Sequence, residues 1–261
     1  MGHVRVGRLP RTLRWREVIA LLDEPESNVA SVADAVLVAS TRRLRELADD
    51  PAVGYPLWLL ARLAAASRGP AFLDELPGGA AALRGDSPSL AVIAALTDHV
   101  REHLSGEAVD RDHLTEIAIQ AFRESLTATV ARESRSLFEA DAADLQRAFR
   151  TYSTNAGFAE LCRRFLANFT LRTVRSFVER DLSNHIGSQR AIPTTEDAED
   201  FGRALDHHIW QASKIVQQFA GDWFSKHNYE SGGQISPEEV QAFAAVALRK
   251  LRGELQRGAR A

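Results

Sequence analysis

The chain has 261 residues, 45 % hydrophobic and 26 % charged, with a net charge of −3 and one cysteine, Cys162. These values match an ordinary soluble globular protein of one large or two smaller domains. The lone cysteine excludes an intramolecular disulfide framework and points to a reducing cytosol. The apolar runs at 57–60 and 90–96 fall far short of the ~20 residues that a bilayer span needs, so a cytoplasmic protein without a membrane segment is expected.

Five arginines (Arg5, Arg8, Arg11, Arg14 and Arg16) precede the first acid, Glu17, which leaves −8 for residues 17–261. A cationic arm on an acidic body predicts contact with something anionic: a nucleic-acid backbone, another protein or the chain's own surface. The arm runs directly into an amphipathic segment, so no secretory leader is expected. Arginine count itself carries little weight, because 29 arginines against 3 lysines reflect the bias of a GC-rich coding sequence. Position is the better guide.

Residues 3–10 alternate weakly, as a short extended arm would. From Thr12 the pattern turns helical, with Trp15, Val18, Ile19 and Leu22 at three- and four-residue steps until Pro25. A second helix is predicted over 28–47, on a stripe of Val29, Val32, Val36, Leu37, Leu44 and Leu47. Asp50-Pro51 reads as a break, and a third helix follows over 56–67. Residues 69–88 hold the densest set of glycines and prolines in the chain. They predict a boundary between an N-terminal module, residues 1–80, and a larger bundle, residues 86–261, although one continuous domain fits the same pattern.

Ser87-Pro88 reads as an N-cap and N1 proline opening a helix to about residue 104. Asp110 is placed to cap a long helix to about 137, and a short one is predicted over 142–152. The strongest amphipathic run is 156–186, with Phe158, Leu161, Phe165, Phe169, Val174, Phe177, Val178 and Leu182 near one face. Another long helix is predicted over 195–227, and a last one from Ser236 to about 255. No segment reads as a paired strand. The expected fold is all-α: a multi-helix bundle with several long antiparallel amphipathic helices and a short extended basic arm.

Four segments invite a chemical reading. Residues 228–239 fit the register of a calcium-binding EF-hand loop, with Gly233 at the sharp turn and Glu239 at the twelfth position. The first position, however, is Asn228, the fifth is Gly232, and Ser236-Pro237-Glu238-Glu239 is equally a helix-capping box. His99 and His103, with Asp98 and Glu102, place two imidazoles on one helical face at a spacing that suits zinc. A third ligand would have to come from His113, Asp206, His207 or His208. Gly85-Asp86-Ser87 resembles the nucleophile block of the GDSL hydrolases, which place it after a buried strand. Here an alanine-rich stretch precedes it, and helix capping accounts for it. Cys162 has Arg163 and Arg164 beside it, yet its spacing to Phe158 and Phe165 puts it in the core.

Arg164, Arg172 and Arg175 are candidate phosphate contacts along one side of the 156–186 helix. Arg249, Lys250, Arg252, Arg257 and Arg260 form a further basic patch, although the pI of 6.3 is not that of a basic nucleic-acid-binding domain. No cofactor or bound metal is expected, and His99, His103 and Glu239 are the weak metal candidates. The leading expectation is a non-enzymatic helical subunit or adaptor that binds other protein chains, with Arg5, Arg8, Arg11, Arg14 and Arg16 facing the partner. A nucleic-acid-binding component is the alternative. A metal-dependent enzyme centred on His99 and His103 is the third. The sequence leaves the oligomeric state open.

Overall fold

The structure of the chain is a computed structural model that describes residues 13–24, 27–77, 88–105, 111–132, 142–182 and 191–258. The arm with Arg5, Arg8 and Arg11 lies outside the described residues, as do Gly78-Gly79, residues 85–87, Asp110 and Arg260. Within the described residues the fold is an all-α multi-helix bundle. Its helices are α1 (Leu13–Asp23), α2 (Val29–Glu46), α3 (Pro51–Ala66), α4 (Pro88–Leu104), α5 (Arg111–Leu126), α6 (Ala142–Thr151), α7 (Asn155–Leu182), α8 (Thr195–Ala212), α9 (Lys214–Glu230) and α10 (Pro237–Gly258). No described helix is long and apolar enough to cross a membrane.

Local chemistry sets most helix starts. Asn28 Oδ1 accepts the Ser31 N–H at 2.8 Å and opens α2. Asp50-Pro51, which reads as a break, is a start: Asp50 Oδ1 accepts the Ala52 N–H at 2.9 Å and Pro51 takes the first helical position. Helix α3 therefore begins five residues ahead of the predicted 56. A capping box of Thr194 and Asp197 opens α8.

Two predicted long helices are interrupted, each for a physical reason. Beyond α5 the backbone widens into a π turn, Thr127–Ala131. There Thr127 Oγ1 bonds the Arg123 carbonyl at 2.9 Å and Thr129 Oγ1 the Ser125 carbonyl at 2.5 Å. Such back-bonding competes with the regular ladder. The predicted 195–227 helix breaks at Ser213. A continuous helix would pair the Trp210 carbonyl with the Lys214 N–H. Here that carbonyl takes Ser213 Oγ at 2.7 Å and Arg163 Nη2 at 3.0 Å instead.

Helix α7 is the centre of the bundle, and α2, α3, α5, α8 and α9 all pack on it. Phe158, Ala159, Leu161, Cys162, Phe165, Leu166, Ala167 and Phe169 are all buried, so this stretch is covered over most of its circumference, with Glu160, Arg164 and Asn168 half-buried along the remaining side. Its start meets α9 at Gly221, where a Cβ would stand 2.4 Å from the Asn155 carbonyl oxygen. Only glycine permits that approach, and it lets Phe158 stack on Phe224 with centroids 4.1 Å apart. Helix α1 is docked rather than free: Trp15, Val18 and Leu22 are buried, and the Trp15 ring lies 5.8 Å from that of Phe177. Helix α10 packs on α2 and α3 as well as on α8 and α9. Residues of the 1–80 and 86–261 segments thus contribute to one apolar cluster.

Candidate functional site

The histidine pair on α4 faces α3. Tyr55 OH and His99 Nε2 share a hydrogen bond of 2.8 Å, and the Tyr55 ring stacks on His103 with centroids 3.5 Å apart and planes 7° apart. Desolvation, followed by the neighbouring His99, lowers the His103 pKa, while burial raises that of Tyr55 against the opposing charge of Arg62. Two of the four proposed third ligands, Asp206 and His208, are engaged elsewhere. Asp206 pairs with Arg175 at 2.7 Å, and His208 lies 3.7 Å from Asp34. Among the described residues, no three of His, Cys, Asp or Glu converge where one ion could be held.

The 228–239 segment closes one helix and opens the next without an ion. Gly233 N–H donates to the Asn228 carbonyl at 2.8 Å and Gly232 N–H to the Tyr229 carbonyl at 3.3 Å, with Gly232 at φ 62°. This is a Schellman ending, which needs a residue at ease in the left-handed region. Glu239 Oε2 accepts the Ser236 N–H at 2.9 Å, and Ser236 Oγ accepts the Glu239 N–H at 3.2 Å. The carboxylate that a calcium loop would place at its twelfth position is thereby the second half of a capping box.

The candidate phosphate arginines of α7 each meet a carboxylate of the same chain. Arg172 forks onto Glu124 of α5, with Nε to Oε2 at 3.0 Å, and Arg175 Nη2 reaches Asp206 of α8 at 2.7 Å. Arg164 Nε lies 2.6 Å from Glu160 Oε1, though off the line of a hydrogen bond. A groove of about 280 Å³ between α5 and α7 is lined by His113, Glu116, Gln120, Glu124, Arg172 and Arg175. Its two arginines are the ones already held by Glu124 and Asp206.

Arg163, which the sequence offers only as a neighbour of Cys162, is a buried pin. Its Nε donates to Ser213 Oγ, Nη1 to Gln217 Oε1 and Nη2 to the Trp210 carbonyl, each at 3.0 Å. The guanidinium also lies 3.9 Å over the Trp210 ring. Burial lowers its pKa, Glu160 opposes that shift and Arg164 adds to it. Burial likewise pushes the Cys162 thiol well above its usual range, so the arginines beside it do not activate it.

The basic patches behave unlike those of α7. Within the N-terminal set, Arg14 Nη1 donates to the Val38 carbonyl at 3.3 Å, while Arg16 is exposed. On α10, Lys250 lies 5.3 Å from the Phe219 ring centroid, and Arg257 is paired with Glu254. Arg249 and Arg252 stand a turn apart on α10, and Arg45 lies in the last turn of α2, which packs on α10. Arg252 Nε is buried and has no acceptor among the described residues. Its pKa is lowered first by desolvation and then by the charges of Arg45 and Arg249.

Helices α9 and α10 share an outer aromatic seam. Phe219, Trp223 and His227 recur every four residues on α9 and are half-buried. Trp223 stacks on Phe243 of α10 with centroids 4.3 Å apart and on His227 at 4.5 Å. Tyr229, at the end of α9, is 88 % exposed, and Val246 on α10 is 38 % exposed. Compared with known proteins, the chain matches no family model, no curated protein and no solved structure.

Proposed function

We propose that this chain is a non-enzymatic helical subunit or adaptor that binds another protein within a multi-component assembly in the reducing cytosol. The observation that carries the reading is Tyr229, an aromatic side chain 88 % exposed at the end of the helix that also carries the half-buried Phe219, Trp223 and His227. Protein-binding surfaces are enriched in such tyrosines and tryptophans, with a few residues supplying most of the affinity. The intramolecular pairing of Arg164, Arg172 and Arg175 favours a protein partner over a nucleic-acid backbone, which needs free cations in a row. Tyr55, hydrogen-bonded to His99 and stacked on His103, argues in the same way against a metal-centred enzyme.

The test is a double variant, Tyr229→Ala with Val246→Glu, at two positions that contribute little to the core. Tagged wild-type chain purified from its own cells should retain a defined partner that the variant loses, while the two melt at the same temperature. Equal recovery of the partner by both forms would place the contact elsewhere, and a chain that elutes alone under all conditions would refute the adaptor role.

A further inference from the structure

We propose that the outer face of α10 binds a second copy of this chain, as an antiparallel helix pair across a two-fold axis. The inference rests on the reading of α9 and α10 as a protein-binding face and names one occupant of it. The inner side of α10 is buried against α2, α3, α8 and α9. Its outer side carries Glu238, Glu239, Ala242, Val246, Arg249 and Lys250, all exposed and recurring at three- and four-residue steps. Acids stand at one end of this stripe, bases at the other and two apolar residues between them.

That sorting of charge departs from the habit of the chain. Elsewhere a cation is answered one turn away on its own helix, as in Arg101–Asp98, Arg164–Glu160, Lys226–Glu230 and Arg257–Glu254. Arg249 has no acid three or four residues away in either direction, and Glu238 has no base. The helix dipole favours acids in the first turn, but its effect on cations is confined to the last turn, and Arg249 lies more than two turns before Gly258. The two charged ends stand ~15 Å apart along the axis. That exceeds the ~10 Å screening length of about 0.1 M salt, so they do not neutralise each other.

A second α10 laid antiparallel does neutralise them. With the axis level with Ala244, Glu238 meets the second copy's Lys250, Glu239 its Arg249 and Ala242 its Val246, and symmetry makes each contact twice. A parallel pair would set acid on acid and base on base. The stripe is only ~18 Å long, short of the ~1,200–2,000 Å² that stable interfaces bury, so the dimer is weak, on the order of tens of micromolar, and the dilute chain is a monomer.

The experiment is sedimentation equilibrium of the full chain over a concentration series at low and at high chloride. A monomer–dimer equilibrium that weakens as salt rises is expected. Glu238→Lys and Lys250→Glu each enter the symmetric interface twice and turn attraction into repulsion, so each should weaken self-association roughly tenfold or more. Both side chains are exposed, so the dilute variants should melt close to wild type. Mixed in equal amounts, the two variants should pair with each other about as tightly as wild type pairs with itself, because each reversed charge then faces its opposite. The proposal is overturned if the wild-type chain stays monomeric at every concentration, if neither variant weakens the dimer, or if the mixture associates no better than the variants alone. Capture from cells separates this inference from the adaptor role. A monomeric chain that still retains a different protein overturns the pairing and leaves that role standing. A dimer that Glu238→Lys abolishes, and that retains nothing else, upholds the pairing and removes the role.

Discussion

Arg163 on α7 is buried and Arg252 on α10 half-buried, and in both desolvation is the first cause of a lowered guanidinium pKa. At Arg163 the lost water is replaced by Ser213 Oγ, Gln217 Oε1, the Trp210 carbonyl and the Trp210 ring, and the carboxylate of Glu160 opposes the shift. At Arg252 a buried Nε is left without an acceptor, and two further arginines add to the shift. The same side chain is therefore a structural pin in one place and a half-buried cation with like-charged neighbours in the other. Surroundings, not residue type, decide which: neutral acceptors complete a guanidinium, whereas like charges leave it calling for an anion.

The largest effect expected from this contrast follows removal of the pin. Arg163→Met keeps the aliphatic stem but removes the donors to Ser213 Oγ, Gln217 Oε1 and the Trp210 carbonyl, leaving that carbonyl to Ser213 Oγ alone, so stability should fall by roughly 2–4 kcal/mol. Arg172→Gln, which opens a partly exposed pair with Glu124, should cost less than about 1 kcal/mol. Urea denaturation of the two variants measures both. If Arg163→Met loses no more than Arg172→Gln, the break between α8 and α9 is held by something other than this guanidinium and the contrast collapses.

The pin also shows where sequence reading reaches its limit. Helix existence was legible wherever caps and periodicity agreed, as at Asn28 and at the Ser236–Glu239 box. The break at Ser213 was not, because Ala212-Ser213-Lys214 contains neither glycine nor proline, and the group that captures the Trp210 carbonyl lies on α7. The start of α3 was misread because Asp-Pro signals both an ending and a beginning. The periodicity of α7 exposed one apolar face, but its full burial depends on helices from both ends of the chain. In the same way, Arg249 and Arg252 were visible as tail cations, while the acids that answer Arg172 and Arg175 lie on α5 and α8. Long-range partnership leaves no local signal.

A buried polar group that lacks both partners and like-charged neighbours supplies an intermediate case. Thr170 is fully buried on α7, and its Oγ1 has no hydrogen-bond partner among the described residues. Replacing it by valine removes the unsatisfied hydroxyl at nearly constant shape, so Thr170→Val should gain up to about 1 kcal/mol. A loss of comparable size, read from the urea midpoint at constant slope, would mean that the hydroxyl is bonded to a buried water and belongs with the satisfied groups.

The smallest effect concerns the repulsion among Arg45, Arg249 and Arg252 in the absence of any anion ligand. Like charges one helical turn apart, as Arg249 and Arg252 are, destabilise by a few tenths of a kcal/mol, and about 0.1 M salt screens interactions beyond ~10 Å. Raising chloride from low ionic strength should therefore lift the urea midpoint of the wild-type chain slightly. Arg249→Gln should start higher and respond less. The sign is what makes the measurement useful, because the chain carries a net −3. If only overall charge mattered, removing a cation would take the net to −4, increase self-repulsion and lower the midpoint. A higher midpoint for Arg249→Gln at low salt requires a local excess of positive charge against the global balance.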